Sequence, residues 1–274
     1  MAKKLIPVER QQQILRYLQQ HGVVKSSTLM ELFDASEATI RRDLEWMERH
    51  GLIEKTHGGA ILIQRMQQEA IYSASASIHQ QEKKWIARAA VQLVENGDMI
   101  FINNGTTTTE VFLALQNRLD LKDITVVTNN VSAAMAVQSA EFKIILLGGI
   151  FRPSSTSIVG DLANNTLRRM YANKAILGVD GVANRFGCTS PIPEEAEISR
   201  VMIDQCLGQT ILVADHSKWG VIAQYRIAGL DDLDIFVCDS ALPQEALDSL
   251  SETEIEIILA GADTTRTGNL TTPA

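Results

Sequence analysis

The chain has 274 residues, a formal net charge of −8, and 45% hydrophobic against 21% charged residues. That length accommodates a small domain beside a larger one with a substantial core. No apolar run approaches the roughly 20 residues that span a bilayer, which excludes a transmembrane helix.

Met1, Lys3, Lys4 and Pro7 surround no apolar leader core, so a cytoplasmic protein without a membrane partner is expected. Cys188, Cys206 and Cys238 stand far apart without metal-ligand spacing. They are expected to be buried free thiols, with neither a metal nor a cofactor implied. The charge is unevenly spread. Residues 1–60 hold nine Lys/Arg against eight Asp/Glu, a balance of +1 that leaves −9 for the rest.

Apolar spacing at Val8, Ile14, Leu15 and Leu18 predicts a helix over 7–20, ended by His21-Gly22. A second helix is expected over 28–33, with Leu29, Leu32 and Phe33 inward, and Asp34-Ala35 as the tight turn after it. The segment 35–44 carries the most information. Ser36 is expected to cap a third helix through its hydroxyl, and Ile40, Leu44 and Met47 recur at i, i+4, i+7 as a buried stripe. That packing turns Glu37, Ala38, Thr39, Arg41 and Arg42 outward at the helix start, the part that meets base edges in a major groove. Two adjacent arginines suit phosphate pairing or bidentate guanine contacts. Asp43 is expected to hold an arginine of its own helix or to form a plain intrahelical ion pair.

Gly51 suits a left-handed helix end. Residues 52–56 and 60–63 then read as a hairpin about His57-Gly58-Gly59. Three helices followed by a hairpin describe a winged helix-turn-helix over 1–63. Lys55, Thr56 and His57 fall at the wing tip, where they can reach phosphate or the minor groove; His57 serves equally as a plain turn residue.

Residues 64–81 are polar, rich in Gln, Ser and Ala, and read as a connector with 73–77 extended. Beyond them helices (82–94, 108–115, 131–138, 162–170, 194–206, 243–250) alternate with apolar strands (98–102, 124–128, 143–147, 174–177, 210–214, 234–238, 255–259). The alternation implies a mostly parallel sheet over 82–262 covered by helices. A loose tail is expected over 263–274. Such sheets bind ligands beyond the carboxyl ends of their strands. Polar loops stand there: Asn103, Gly105, Thr106 and Thr107; Asn129; Gly149 and Arg152; Asp180; and the run from Asp215 through Lys218. The first opens a helix and offers backbone N–H groups and hydroxyls to an anion. It is no Walker loop, because Gly-Lys-Ser/Thr is missing.

Leu29, Phe33, Ser36, Thr39 to Leu44, Gly51-Leu52 and His57 to Ala60 together resemble the signature of the DeoR family of bacterial transcriptional regulators. The second half is similar to that family's effector domain, itself similar to ribose-5-phosphate isomerase, through Glu82-Lys83, Gly105 to Thr107, Thr128-Asn129, Gly148-Gly149, Gly178, Glu195 and Ser217-Lys218. The resemblance implies a double-stranded DNA operator, a small phosphorylated sugar as effector, and a homo-oligomer, dimer or tetramer. It assigns Gly105 to Thr107 to the phosphate, Lys218 to the anion, and Asn129, Asp180 and Glu195 to hydroxyls. The chain departs from the family's pattern at Asn103, where aspartate is usual, and at Ser75, where an arginine is common.

The leading expectation is a carbohydrate repressor without catalytic residues. The alternative is a sugar-phosphate isomerase-like enzyme with an appended DNA-binding module, using Asp180 or Glu195 as base and Lys218 as electrophilic partner.

Overall fold

The computed structural model describes residues 5–56, 58–66, 72–137, 140–262 and 265–268; His57, one of the expected wing contacts, lies outside them. The first elements are α1 (Pro7–His21), β1 (Val23–Lys25), α2 (Ser26–Phe33), α3 (Glu37–Arg49), β2 (Ile53–Lys55) and β3 (Gly59–Leu62). The strands form an antiparallel sheet in the order β1-β3-β2.

Ile14 and Leu18 of α1, Leu29 of α2, and Ile40, Leu44 and Met47 of α3 close on Ile53 and Ala60 of the hairpin. Each large apolar side chain so buried contributes about 1.5–3 kcal/mol of transfer free energy. The third helix follows Asp34 in left-handed geometry and ends at Gly51 with φ 64°. Gly59 is required by close approach, since a Cβ there would stand 2.0 Å from the Val24 carbonyl oxygen.

Several expected details differ. Val8 and Leu32 are exposed, because Ile14, Leu18 and Leu29 already fill the space between the helices. The Ser36 hydroxyl makes no cap bond; it pairs with the Thr39 hydroxyl at 2.9 Å. Asp43 shares the buried face of Ile40, Leu44 and Met47, so its partners come from α1 rather than α3. It accepts from Arg10 Nε at 2.5 Å and from Gln11 Nε2 at 3.0 Å.

The chain continues through β4 (Gln64–Arg65), α4 (Tyr72–Ser77), α5 (Gln80–Ala90), β5 (Met99–Ile102), α6 (Thr106–Leu115), β6 (Thr125–Thr128), α7 (Val131–Ala136), β7 (Lys143–Leu146), β8 (Ile150–Arg152), β9 (Ser157–Val159) and α8 (Asp161–Leu167). It completes the body with β10 (Ala172–Leu177), β11 (Gly181–Ala183), β12 (Gly187–Ser190), α9 (Pro193–Asp204), β13 (Cys206–Val213), β14 (Val221–Ile222), β15 (Tyr225–Ala228), β16 (Ile235–Asp239), α10 (Gln244–Leu250), β17 (Glu256–Ala260) and β18 (Thr265–Gly268).

The main sheet runs β18-β17-β16-β13-β10-β5-β6-β7, parallel except for the β17–β18 pair. Successive side chains of a strand face opposite sides, and β5 shows the consequence. Ile100 and Ile102 pack with Ile86 of α5 and Phe112 of α6, whereas Phe101 packs with Leu167 of α8 and Met202 of α9. From β5 the chain builds outward to β6 and β7, then returns to place β10, β13, β16 and β17 on the other side. The switch point therefore lies between β5 and β10, where a crevice opens at the strand ends.

Residues 73–77, expected to be extended, lie in α4; Lys83 Nζ donates to the Ser75 and Ile78 carbonyls at its end, at 2.6 and 2.7 Å. Within the expected tail, Thr265–Gly268 pairs with the edge of β17. Cys206 begins β13 instead of ending α9 and is half-buried, whereas Cys188 and Cys238 are buried.

The two halves touch directly. β4 pairs in parallel with β14, with Gln64 N–H donating to Gly220 O at 2.8 Å and Met66 N–H to Ile222 O at 2.9 Å. Ile61 of the wing packs into the cluster of Val182, Trp219 and Phe236. Both Glu54 carboxylate oxygens accept the Asn184 N–H, at 3.1 and 3.0 Å.

Candidate functional site

Two surfaces carry the candidate chemistry. On α3 the buried stripe fixes the opposite face outward, where Ser36, Glu37, Ala38, Arg41 and Arg42 are exposed and Thr39 is half-buried. Arg41 lies 3.8 Å from Glu45, and Lys55 of the wing reaches the same carboxylate at 3.8 Å. Glu45 thereby faces both the wing tip and the helix, and the Lys55 N–H donates to Glu48 at 3.1 Å. Thr56 is half-buried beside them. The Arg10–Asp43 pair sits directly beneath, at 7% and 3% exposure, and locks α3 to α1. A rigid helix with two outward guanidinium groups at its start and a basic wing beside it can enter a major groove and grip the flanking phosphates.

The second surface is a cavity of about 730 Å³, including its mouth, at the switch point. One wall is the loop from β5 into α6, with Asn103, Asn104, Gly105, Thr106 and Thr107. The first N–H groups of α6 have no intrahelical acceptors and, with the helix dipole, favour an anion. Facing them are Gly178, Val179 and Asp180 after β10, Ser190 of β12, Glu195 and Ser199 of α9, and Lys218 after β13. A lysine, a helix start and a ring of hydroxyl, amide and carboxylate groups offer the charge, donors and acceptors that a small polyhydroxylated anion can use.

The loop carrying Lys218 is tightly held. Asp215 is 1% exposed and accepts from the Ser217 N–H at 3.1 Å. Asp239, equally buried, accepts from the His216 N–H at 2.7 Å and meets its Nδ1 at 2.9 Å. Behind the wall, burial pushes the Lys83 ammonium below its ordinary range, against the upward pull of the Asp215 charge.

Of the ten expected ligand residues, Asn103, Gly105, Thr106, Thr107, Asp180, Glu195 and Lys218 line this cavity. Asn129, Gly149 and Arg152 do not. Asn129 stands behind the wall and donates to Asn104 Oδ1 at 3.1 Å and Ile158 O at 3.0 Å. Gly149 lies against the Val159 carbonyl, and Arg152 faces the Glu195 carboxylate at 3.7 Å from outside. Strands in a sheet lie about 4.8 Å apart, so loops after β6 and β7 are displaced from a crevice between β5 and β10.

Asn103 lines the cavity, yet its amide is engaged with the protein. Oδ1 accepts the Gly178 N–H at 2.8 Å, while Nδ2 donates to Gly178 O at 2.8 Å and Ser199 Oγ at 2.9 Å. Sequence reasoning assigned no ligand role to Tyr72, Ser75, Ser155, Ser190 and Ser199, all in the lining; Ser75 entered only as a departure from the family's pattern. No local pattern marks isolated serines. For Tyr72, an aromatic residue in an otherwise polar connector was the available signal. No cluster suited to a metal ion and no helix long and apolar enough to cross a membrane occurs among the described residues.

Comparison with known proteins matches both halves of the chain to one family. Residues 10–66 match the family model described as a DeoR-like helix-turn-helix domain, and residues 78–240 that described as a DeoR C terminal sensor domain. The chain is 32% identical to the uncharacterized HTH-type transcriptional regulator YulB of Bacillus subtilis, over 92% of this chain and 96% of the relative. It is also 32% identical to the HTH-type transcriptional repressor GlcR of the same organism, over 93% and 97%. A ribose 5-phosphate isomerase from Methanocaldococcus jannaschii aligns with 52% of this chain and 55% of its own, at 17% identity and a TM-score of 0.39.

Proposed function

The chain belongs to the DeoR family of HTH-type transcriptional regulators, and from that membership we propose that it is a cytoplasmic repressor of carbohydrate-metabolism genes whose operator binding is controlled by a phosphorylated sugar. The observation that carries the reading is the cavity at the β5–β10 switch point, where the start of α6 faces Lys218, in a chain whose α3 presents Arg41 and Arg42 outward. In this reading Gly105, Thr106 and Thr107 receive the phosphate, Lys218 neutralises it, and Asp180, Glu195 and their serine neighbours meet sugar hydroxyls. Asn129 and Arg152 act indirectly, by steadying Asn104 and Glu195.

On the DNA side, Ser36 to Thr39, Arg41 and Arg42 meet base edges and phosphates, with Lys55, Thr56 and His57 on the adjoining backbone. A reader with a net charge of only +1 has limited non-specific affinity, which favours a homo-oligomer that engages two half-sites at once. Two of the cavity's carboxylates are held in place by serine hydroxyls: Asp180 accepts from Ser190 Oγ at 3.0 Å, and Glu195 from Ser157 Oγ at 3.1 Å.

The reading is tested on DNA upstream of the protein's own gene, with glucose 6-phosphate, fructose 1-phosphate, fructose 6-phosphate and inorganic phosphate as probes. Arg41→Ala/Arg42→Ala is expected to weaken operator binding at least tenfold and to lower the salt slope by about 2. Lys218→Ala is expected to reduce thermal stabilisation by the sugar phosphates while sparing operator affinity. Unchanged DNA binding in the double variant sinks the reader assignment, and turnover of an aldose phosphate would favour the enzyme.

A further inference from the structure

One wall of the cavity is supplied by neither the sheet nor its covering helices. We propose that the connector helix α4 is part of the effector site: a bound sugar phosphate holds α4 in its seat through Tyr72 and Ser75, and that seating sets the position of the DNA reader. The proposal rests on the cavity being an effector site.

Tyr72 and Ser75 are three residues apart and so share a face of α4; both line the cavity with Gly105, Thr106 and Lys218. The Ser75 hydroxyl can donate and accept, and the Tyr72 hydroxyl, whose proton goes to Thr109 Oγ1, can accept, which together match a sugar hydroxyl. The helix itself is six residues long and buries no side chain, whereas Ile86 of α5 and Phe112 of α6 are fully buried. A helix this short is marginal in water without apolar packing.

Its seat is accordingly polar. The Tyr72 hydroxyl bonds Thr109 Oγ1 at 2.8 Å, and the Tyr72 N–H donates to Ser154 O at 3.2 Å. Lys83 Nζ donates to the Ser75 and Ile78 carbonyls. Thr109 in turn donates to Gly105 O at 2.8 Å, so α4 is bonded to the loop that would cradle the phosphate.

The other end of the connector is tied to the far wall. Trp219 and Gly220 follow Lys218 directly, and Gly220 O accepts the Gln64 N–H where β14 pairs with β4. A ligand bridging α4, the α6 start and Lys218 therefore acts on both anchors of the segment that carries the reader. Its preference for the seated state is a preference for one placement of the reader, which is the differential affinity that coupling requires.

The test uses the full chain, labelled operator DNA, and fructose 6-phosphate, glucose 6-phosphate and inorganic phosphate as probes. In the wild type, a probe that raises the melting temperature is expected to slow amide exchange across 72–78 at least fivefold and to change operator Kd. The ratio of operator Kd with and without that probe is expected to fall at least threefold towards unity in Tyr72→Phe and Lys83→Met. Lys83→Arg, which keeps donors for the Ser75 and Ile78 carbonyls, is expected to recover part of it. Tyr72→Phe removes one hydroxyl from a helix with no buried side chain, so it serves if Lys83→Met does not fold. A probe that binds but leaves exchange over 72–78 unchanged, or the ratio equal in wild type and variants, overturns the role of α4 and spares the cavity assignment. Failure of every probe to stabilise the wild type overturns both.

Discussion

Asn103 and Gly178 are joined twice across the switch point, the Asn103 amide accepting from the Gly178 N–H and donating to its carbonyl, each at 2.8 Å. One side chain thus pairs with both polar groups of a residue on the neighbouring strand end, at the place where the chain's two directions of sheet growth part. An aspartate can accept from the N–H but would place a carboxylate against the carbonyl and remove the donor to Ser199. Asn103→Asp is expected to lower stability by about 2 kcal/mol at pH 7, with part recovered near pH 5 as the carboxyl takes up a proton and can donate again. Urea unfolding at the two pH values checks this; equal stability of variant and parent would show that the crevice does not depend on the double bond.

The Arg10–Asp43 pair makes a second prediction. With both side chains nearly fully buried, Asp43→Ala leaves an unpaired guanidinium in the reader's core. Removing one partner of a buried pair costs about 3–5 kcal/mol, so the reader is expected to melt well below the body and operator binding to fail with it. Calorimetry of the full chain should resolve two transitions in the variant. Operator affinity within twofold of the parent would mean that Asp43 is not what locks α3 to α1.

Glu54 supplies the pH dependence. It is 5% exposed at the junction between wing and body, and desolvation, opposed by the Asn184 N–H and aided by Glu48, lifts its pKa from 4.5 to about 7. The folded state then holds a proton that the unfolded chain releases, so this group's contribution falls as pH rises from about 4.5 to 7. It is lost in full above that window. The difference amounts to about 3 kcal/mol. Glu54→Gln keeps an acceptor for Asn184 and is expected to flatten the decline of Tm between pH 5 and pH 8. A decline of the same slope in the variant would assign it to other groups.

Much of this organisation was legible in the sequence, for identifiable reasons. Ile40, Leu44 and Met47 could only be buried together, so the outward placing of Arg41 and Arg42 followed from spacing alone. The main strands were legible because a sheet covered on both faces writes unbroken apolar runs such as Met99 to Ile102. The pairs β8–β9 and β11–β12 left no comparable trace, because Arg152, Ser157, Gly181 and Gly187 interrupt any apolar run in them. Loop polarity alone could not separate Lys218, beside the crevice, from Gly149, which is three strands from β10. Asp43 was misread because periodicity shows which face a residue takes and not which helix it meets.

The ties between the halves have a mechanical consequence. Ile61, Glu54, Gln64 and Met66 all precede the stretch between Met66 and Tyr72, and each contacts the body without using that stretch. The reader is therefore held to the body by contacts of its own as well as by the chain that joins it to α4. A force that pulled the reader off the body would have to open the β4–β14 ladder and the Glu54–Asn184 bond as well as load the chain.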